Sequence, residues 1–79
     1  MAKKQLSARV HHIAFVQARE YAKDGYKLLD YNCSEEQAST WYNLIHENGN
    51  RINITATEFD NTVTIYRNGK LNKTIKINK

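Results

Sequence analysis

The part of this chain that most constrains its fold is its last thirty or so residues, where apolar and polar side chains alternate with the period of β-strands. Two short runs of turn-forming residues interrupt the alternation. The pattern predicts three antiparallel strands joined by tight turns, with one apolar and one polar face. The predicted strands are Arg51–Phe59, Thr62–Arg67 and Leu71–Asn78.

The first turn sets the register of the first hairpin. Asp60 and Asn61 both tolerate positive φ, so they predict a two-residue loop. That loop would place Thr57 opposite Thr64 and keep the polar and apolar sets on separate faces.

The second turn allows two registers. A two-residue loop, Asn68-Gly69, would move the apolar side chains of the last strand onto the polar face. A three-residue loop that also includes Lys70, with Gly69 in the left-handed position, keeps those side chains on the apolar face. We therefore predict the three-residue loop. It directs Lys73 toward the apolar face, a known guard against edge-to-edge aggregation.

The polar face of the predicted sheet has two interpretations. Threonine is a common exposed strand residue, so the face could be simply solvated. The functional alternative rests on Phe59 and Tyr66, two aromatic residues within a cationic rim, because sheets bind single-stranded nucleic acid in this way. The rim consists of Arg51, Lys70, Lys76 and Lys79. The predicted partner-binding residues are Thr55, Phe59, Tyr66, Lys70, Asn72 and Lys76.

The first half of the chain has helical periodicity. Residues 4–24 contain no glycine or proline and end at Gly25, a residue favoured just past a helix C-terminus. One stripe at helical spacing is a predicted core face, made of Leu6, Val10, Ile13, Ala14 and Tyr21.

A second stripe on this helix follows coiled-coil-like 3-4 spacing. A helix lying on a sheet needs only one apolar face, so the second stripe calls for another partner. Either a second helix covers it, or it is a homodimer interface. The predicted dimer-interface residues are Ala8, His11, Phe15, Ala18 and Ala22.

The middle of the chain predicts one extended segment and a second helix. Tyr26–Tyr31 has β-character and is expected to form a short strand or an extended connector. Ser34, followed three residues later by Gln37, resembles a capping box that opens the second helix. Trp41 falls in register with apolar neighbours and is predicted to lie in the core.

These segments together predict an α+β fold with the order α-β-α-β-β-β. A three-stranded antiparallel meander sheet would form one layer, and two helices backing it would form the other. The length of 79 residues predicts a single domain spanning residues 1–79.

Residues able to support catalysis or bind metal are few. Cys33 precedes the predicted cap of the second helix, where the dipole could activate a thiol, but no histidine is spaced to serve it as a base. A composite zinc site of Cys33 with His11, His12 or His46 departs from recognised ligand spacings. We expect no catalytic residues, no metal, no cofactor and no enzymatic activity.

Charge and cysteine content bear on partners and location. The net charge is +4, and residues 61–79 carry Arg67 and four lysines without an acid, so a nucleic-acid partner is possible. A single cysteine indicates a reducing compartment. The N-terminus lacks the apolar run of a signal peptide, and no apolar run is long enough to span a bilayer. We therefore expect a cytoplasmic protein with no membrane partner.

The sequence predicts a small non-enzymatic binding protein that occupies the surface of a protein or nucleoprotein partner. The alternative is a nucleic-acid-binding module that uses the outer sheet face and the basic C-terminal strand. The abundance of Asn, Lys and Ile suggests a low-GC genome. Small cofactor-free chains from such genomes are often accessory or inhibitory proteins of phages or mobile elements, and we hypothesise such a role.

Overall fold

The computed structural model describes residues 8–34, 36 and 38–76, and it shows one helix packed on one face of a five-stranded antiparallel sheet. The strands follow one another across the sheet in chain order, as a meander. The elements are α1 (Ala8–Lys23), β1 (Tyr26–Ser34), β2 (Ser39–His46), β3 (Arg51–Thr57), β4 (Thr62–Arg67) and β5 (Lys70–Lys76).

The predicted fold class, with two helices and a three-stranded sheet, is therefore wrong. The segment predicted as the second helix contains β2. Its buried residues, among them Thr40, Tyr42 and Leu44, recur with period two rather than 3.6. Ser34 ends β1 opposite Ser39, so it does not begin a helix. β-branched and aromatic residues favour a strand here, and they outweigh the local capping pattern, of which Gln37 lies outside the described residues.

Of the two alternatives expected for Tyr26–Tyr31, a short strand or an extended connector, the structure shows a strand, which continues to Ser34 as an edge strand paired with β2. The prediction for Trp41 is wrong, because a strand directs adjacent side chains to opposite faces. Tyr42 takes the buried side at 6% exposure, so Trp41 lies partly exposed on the other side.

The hairpin of β3 and β4 differs from the predicted register by two residues. Thr57 pairs with Thr62 rather than with Thr64, and the loop between the strands has four residues, not two. A shift of two residues preserves the face of every side chain. The predicted apolar face of this hairpin is thus confirmed by the buried residues Ile52, Ile54, Ala56, Val63 and Ile65.

Most of the hairpin of β4 and β5 has the predicted register, but its turn differs from the predicted one. Asn68 and Gly69, both at positive φ, form the two-residue turn, and the predicted three-residue loop is wrong. Asn72 is an extra residue in a β-bulge, which restores the predicted pairing of Thr64 with Thr74 beyond it. On the turn side of the bulge, Leu71 pairs with Tyr66 and is 63% exposed, so it does not join the core.

The core lies between α1 and the inner face of the sheet. Val10, Ala14 and Ala18 recur at four-residue spacing along α1 and are buried, with Ile13 and Tyr21 packed beside them. This confirms the predicted core stripe, apart from Leu6, which lies outside the described residues. The sheet contributes Tyr26, Tyr42, Leu44, Ile52, Ile54, Ala56, Val63 and Ile65.

Candidate partner-binding face

The face of the sheet turned away from α1 carries mainly polar side chains, and we call it the outer face. Pairing across β2, β3 and β4 aligns its side chains in rows, because directly opposite residues on antiparallel strands share a face. One row runs from Asn43 through Asn53 to Tyr66, and the next from Trp41 through Thr55 to Thr64. These rows form a continuous surface of amide, hydroxyl and aromatic groups.

A groove of about 370 Å³ indents one end of this face, and we call it the outer groove. This volume lies at the lower end of the range for small-ligand sites. The strands β2 and β3 form the floor of the groove. Their residues Leu44 and Ile52 border the groove, although each is only 2% exposed. The walls are formed by Leu29, Asn43, Arg51, Asn53, Tyr66 and Gly69.

Side-chain hydrogen bonds fix the amides of the outer groove. Asn53 donates from Nδ2 to Oδ1 of Asn43 at 2.7 Å, and Thr55 donates from Oγ1 to Oδ1 of Asn53 at 2.8 Å. Within the described part of the chain, the Nδ2 group of Asn43 donates no hydrogen bond of its own. The hydrogen bond that Oδ1 of Asn43 accepts therefore fixes the direction in which the Nδ2 group of Asn43 can donate to a ligand.

The position of Arg51 in the groove wall is set by the turn between β4 and β5. The backbone nitrogen of Arg51 donates to Oδ1 of Asn68 at 2.8 Å, and the nitrogen of Asn68 donates to the carbonyl of Arg51 at 2.9 Å. Asn68 also donates from Nδ2 to Oδ1 of Asn50 at 3.2 Å. Arg51 is exposed and makes no ion pair with any described residue, so its guanidinium is available to an anion.

Positive charge continues from Arg51 along the neighbouring edge of the sheet. β4 and β5 contain four basic residues and no acid, and all four basic residues are exposed. Because the two strands contain no acid, these charges add to a positive potential along this edge. They are Arg67, Lys70, Lys73 and Lys76. Lys73 pairs with Ile65, which places it on the inner face of the edge strand as the sequence predicts.

The structure distributes the predicted partner-binding residues over more than one place. Tyr66 lines the outer groove, and Thr55 supports it by its bond to Asn53. Lys70 opens β5 and Asn72 forms the bulge, both at the sheet edge. The remaining two lie away from the groove: Phe59, 62% exposed, in the loop between β3 and β4, and Lys76, opposite Thr62.

Sequence reasoning missed most of the groove. Leu29 and Asn43 were not predicted as site residues, because the segment that forms β2 was predicted to be helical and its pairing with β1 was therefore not expected. Asn53 could have been found, because it alternates with the buried residues Ile52 and Ile54 in a strand that was predicted. Arg51 was identified only as a member of the cationic rim.

The predicted dimer-interface residues do not share one environment. Ala18 is 8% exposed and belongs to the core, whereas Phe15 is 46% exposed and Ala22 is exposed. His11 is partly buried against Thr40. The side chain of Ala8 lies outside the described residues.

A second, apolar groove of about 180 Å³ runs between α1 and β1, and we call it the flank groove. It exists because α1 leaves the inner side of β1 partly uncovered, so Leu28 is 56% exposed and Tyr31 nearby is 45% exposed. The groove is lined by Phe15, Ala18, Arg19, Ala22, Leu28, Tyr42 and Leu44.

Cys33 is an exposed free thiol beside a chain of polar contacts. The hydroxyl of Thr40 donates to Sγ of Cys33 at 3.7 Å, so Nδ1 of His11 donates to Oγ1 of Thr40 at 3.4 Å. Burial raises the pKa of Tyr31 above its ordinary value, and the nearby Cys33 adds to this effect. Across the described ranges, no three His, Cys, Asp or Glu side chains are grouped to hold a metal ion.

The helix of the described region lacks the length and apolar character needed to cross a bilayer. Comparisons of the chain with protein-family models, with curated proteins and with solved structures found no match.

Proposed function

We propose that this protein is a non-enzymatic binding protein that recognises a macromolecular partner through the outer face of its sheet. The outer groove carries this proposal. It brings together the fixed amide donor of Asn43, the ring of Tyr66 and the guanidinium of Arg51, which forms no ion pair with the described residues. Such groups recognise a partner by hydrogen bonding, stacking and charge.

The scaffold supports a recognition role. Asn43, Asn53 and Tyr66 of the groove walls stand on β2, β3 and β4, the three interior strands of the sheet, which hold side chains in place more firmly than a loop does. Little ordering is then needed on binding, so less of the interaction free energy is lost. The partner is a protein, a nucleoprotein or a nucleic acid, and an inhibitory or accessory role follows if the bound surface is one that the partner uses.

A second proposal concerns association of the chain with itself. The flank groove and the exposed apolar residues beside it form one apolar surface on the α1–β1 side, and Ala18 and Ala22 allow another chain to approach closely. Exposed apolar surface of this kind typically marks an interface. We propose that a second copy covers it, with Phe15 and Leu28 as the central contacts, in place of the straight helical stripe expected from the sequence.

Origin and location rest on the sequence alone. A phage or mobile-element source, an inhibitory activity and a cytoplasmic location stay proposals that derive from composition and from the single cysteine.

Site-specific photocrosslinking tests the proposed binding face. A photoreactive amino acid is placed at Tyr66 in the outer groove and, as a matched control, at Lys23 at the end of α1 on the other side of the sheet. We expect a crosslinked partner from the Tyr66 position and none from Lys23 in cells that express the chain. Equal crosslinking from both positions, or none from either, would contradict a partner at the outer face.

A further inference from the structure

We propose that the outer groove binds one nucleotide of a single-stranded nucleic acid, so that the partner is single-stranded RNA or DNA. This inference rests on the proposed function and specifies its partner class. It depends on three features of the groove: an exposed aromatic ring, a fixed amide donor and an exposed cation that has no ion pair among the residues the structure describes.

Tyr66 offers the stacking surface for a base. Its side chain is 37% exposed at the wall of the groove, although it stands on an interior strand. Base–aromatic stacking is tolerant of sequence and is the common way in which sheet surfaces hold unpaired bases. Gly69 lines the same wall, and the space beside it is open, since a Cβ there would meet nothing within 4 Å. A base therefore has room next to the ring.

Asn43 supplies a hydrogen-bond donor in the wall of the groove. Its carbonyl oxygen is occupied by Asn53, which leaves Nδ2 to donate to a ligand. Base edges carry carbonyl oxygen and ring nitrogen acceptors, which suit such a donor. A base that fills the groove can thus stack and form a hydrogen bond at once.

The charge of Arg51 matches a phosphate group of a nucleic-acid backbone. Its exposed guanidinium lines the groove and makes no ion pair with any described residue. Arg67 and Lys70 lie toward the inner face, because Arg67 pairs with the buried Ile52 and with Lys70. Both add longer-range positive potential at the same end of the sheet, and β4 and β5 contain no acid. A polyanion is the partner that this potential favours. A protein partner would need a matching acidic surface.

A single strand fits the groove better than a duplex. The groove accepts a base from above a sheet face five strands wide, and such a face cannot enter either groove of a double helix as a two-stranded ribbon can. In a single strand the bases are free to leave the stack and enter a protein pocket.

Fluorescence anisotropy with a labelled oligonucleotide of about 12 nucleotides, within the range of known single-strand sites, tests the inference. We expect wild-type affinity to fall steeply with salt, because bound Arg and Lys release counterions. Tyr66→Ala should weaken binding about 5- to 150-fold without changing the salt slope, whereas Tyr66→Phe should retain the stacking contribution. Arg51→Ala should reduce the slope of log affinity against log salt by about 1.

Control variants separate the groove from general basicity. Lys23→Ala removes a cation from the far side of the molecule and should leave affinity and slope close to those of wild type. A duplex of the same sequence should bind more weakly than the single strand. Circular dichroism and the urea midpoint of each variant identify any loss of binding that comes from unfolding.

The possible outcomes are distinct. Binding that is insensitive to salt, or equal for wild type and Tyr66→Ala, overturns the inference. Absence of oligonucleotide binding together with a nuclease-resistant protein crosslinked at Tyr66 also overturns it, but leaves the proposed function in place. The expected pattern of affinities, with a crosslinked species that nuclease removes, supports both.

Discussion

The imidazole of His46, at the end of β2, donates from Nε2 to the backbone carbonyl oxygen of Asp24, just past α1, at 3.2 Å. The other ring nitrogen, Nδ1, accepts from the backbone nitrogen of Asn48 at 3.1 Å. The two contacts define a neutral ring with its proton on Nε2. Tyr26 packs edge-on against this ring with centroids 5.0 Å apart. His46 thus ties the end of the helix to the turn after β2.

The first prediction concerns Gly25, which lies beneath this imidazole. A Cβ at Gly25 would lie 2.9 Å from Nε2 of His46, whereas Gly49, at nearly the same φ (96° against 98°), has open space around it. Both alanine variants should lose about 1–2 kcal/mol because an L-residue is strained in that conformation. Gly25→Ala should lose about 0.5–1.5 kcal/mol more, since the His46–Asp24 hydrogen bond must shift.

Urea denaturation of the two variants measures this difference. If Gly25→Ala and Gly49→Ala are equally destabilised, the close packing of His46 on Gly25 is wrong. Adding His46→Ala to each variant is the control, because it should abolish the extra cost at Gly25 only.

The second prediction tests the two faces of the sheet with adjacent residues of β4. Ile65 is 0% exposed against α1, so Ile65→Asp buries an unpaired charge and should unfold the protein, with a loss above about 4 kcal/mol. Thr64 lies on the outer face between Thr55 and Thr74, and Thr64→Asp should cost no more than about 1 kcal/mol. Thermal unfolding measures both, and similar melting temperatures would refute the assignment of faces.

The third prediction concerns alkaline pH. Burial raises the pKa of Tyr42 above its ordinary value of 10.0, with further increases from Tyr31 and Cys33 nearby. The unfolded chain then releases the phenolic proton more readily than the folded chain does. The resulting stability is fully present below pH 10 and is lost as the pH rises through the folded-state pKa. Tyr42→Phe should therefore flatten the decline in unfolding free energy above pH 10.

Urea midpoints measured at about pH 8 and about pH 11, on either side of the ordinary tyrosine pKa, provide the comparison. The same decline for wild type and Tyr42→Phe would show that other groups control alkaline stability.

The success of sequence reasoning varied along the chain for physical reasons. In β3 and β4, branched apolar residues alternate with polar ones, and this alternation identifies the buried face even where the turn length is misjudged. In β2, consecutive bulky residues around Trp41 and Tyr42 fit either period, so the nearby Ser34 capping pattern decided wrongly for a helix.

The candidate site was predictable only in part for the same reason. Tyr66 and the cationic edge lie in the hairpin that was recognised. The groove, however, needs Asn43 from β2 and Leu29 from β1, which become neighbours of Tyr66 only through sheet pairing. The bulge at Asn72 also had no local signal, because it compensates for the short turn at Asn68-Gly69.

The last prediction tests self-association through the flank groove. Phe15 and Leu28 expose apolar surface on the same side of the molecule, so a second copy that covers them gains their burial. Wild type should sediment as a dimer at about 100 μM, well above the roughly micromolar dissociation constant of a modest interface. Phe15→Glu should make the protein monomeric, because a carboxylate would be buried in the interface without a partner. Phe59→Glu, which charges a more exposed ring in the loop between β3 and β4, is the matched control and should remain dimeric. A monomeric wild type, or dissociation by both variants alike, would refute an interface at the flank groove.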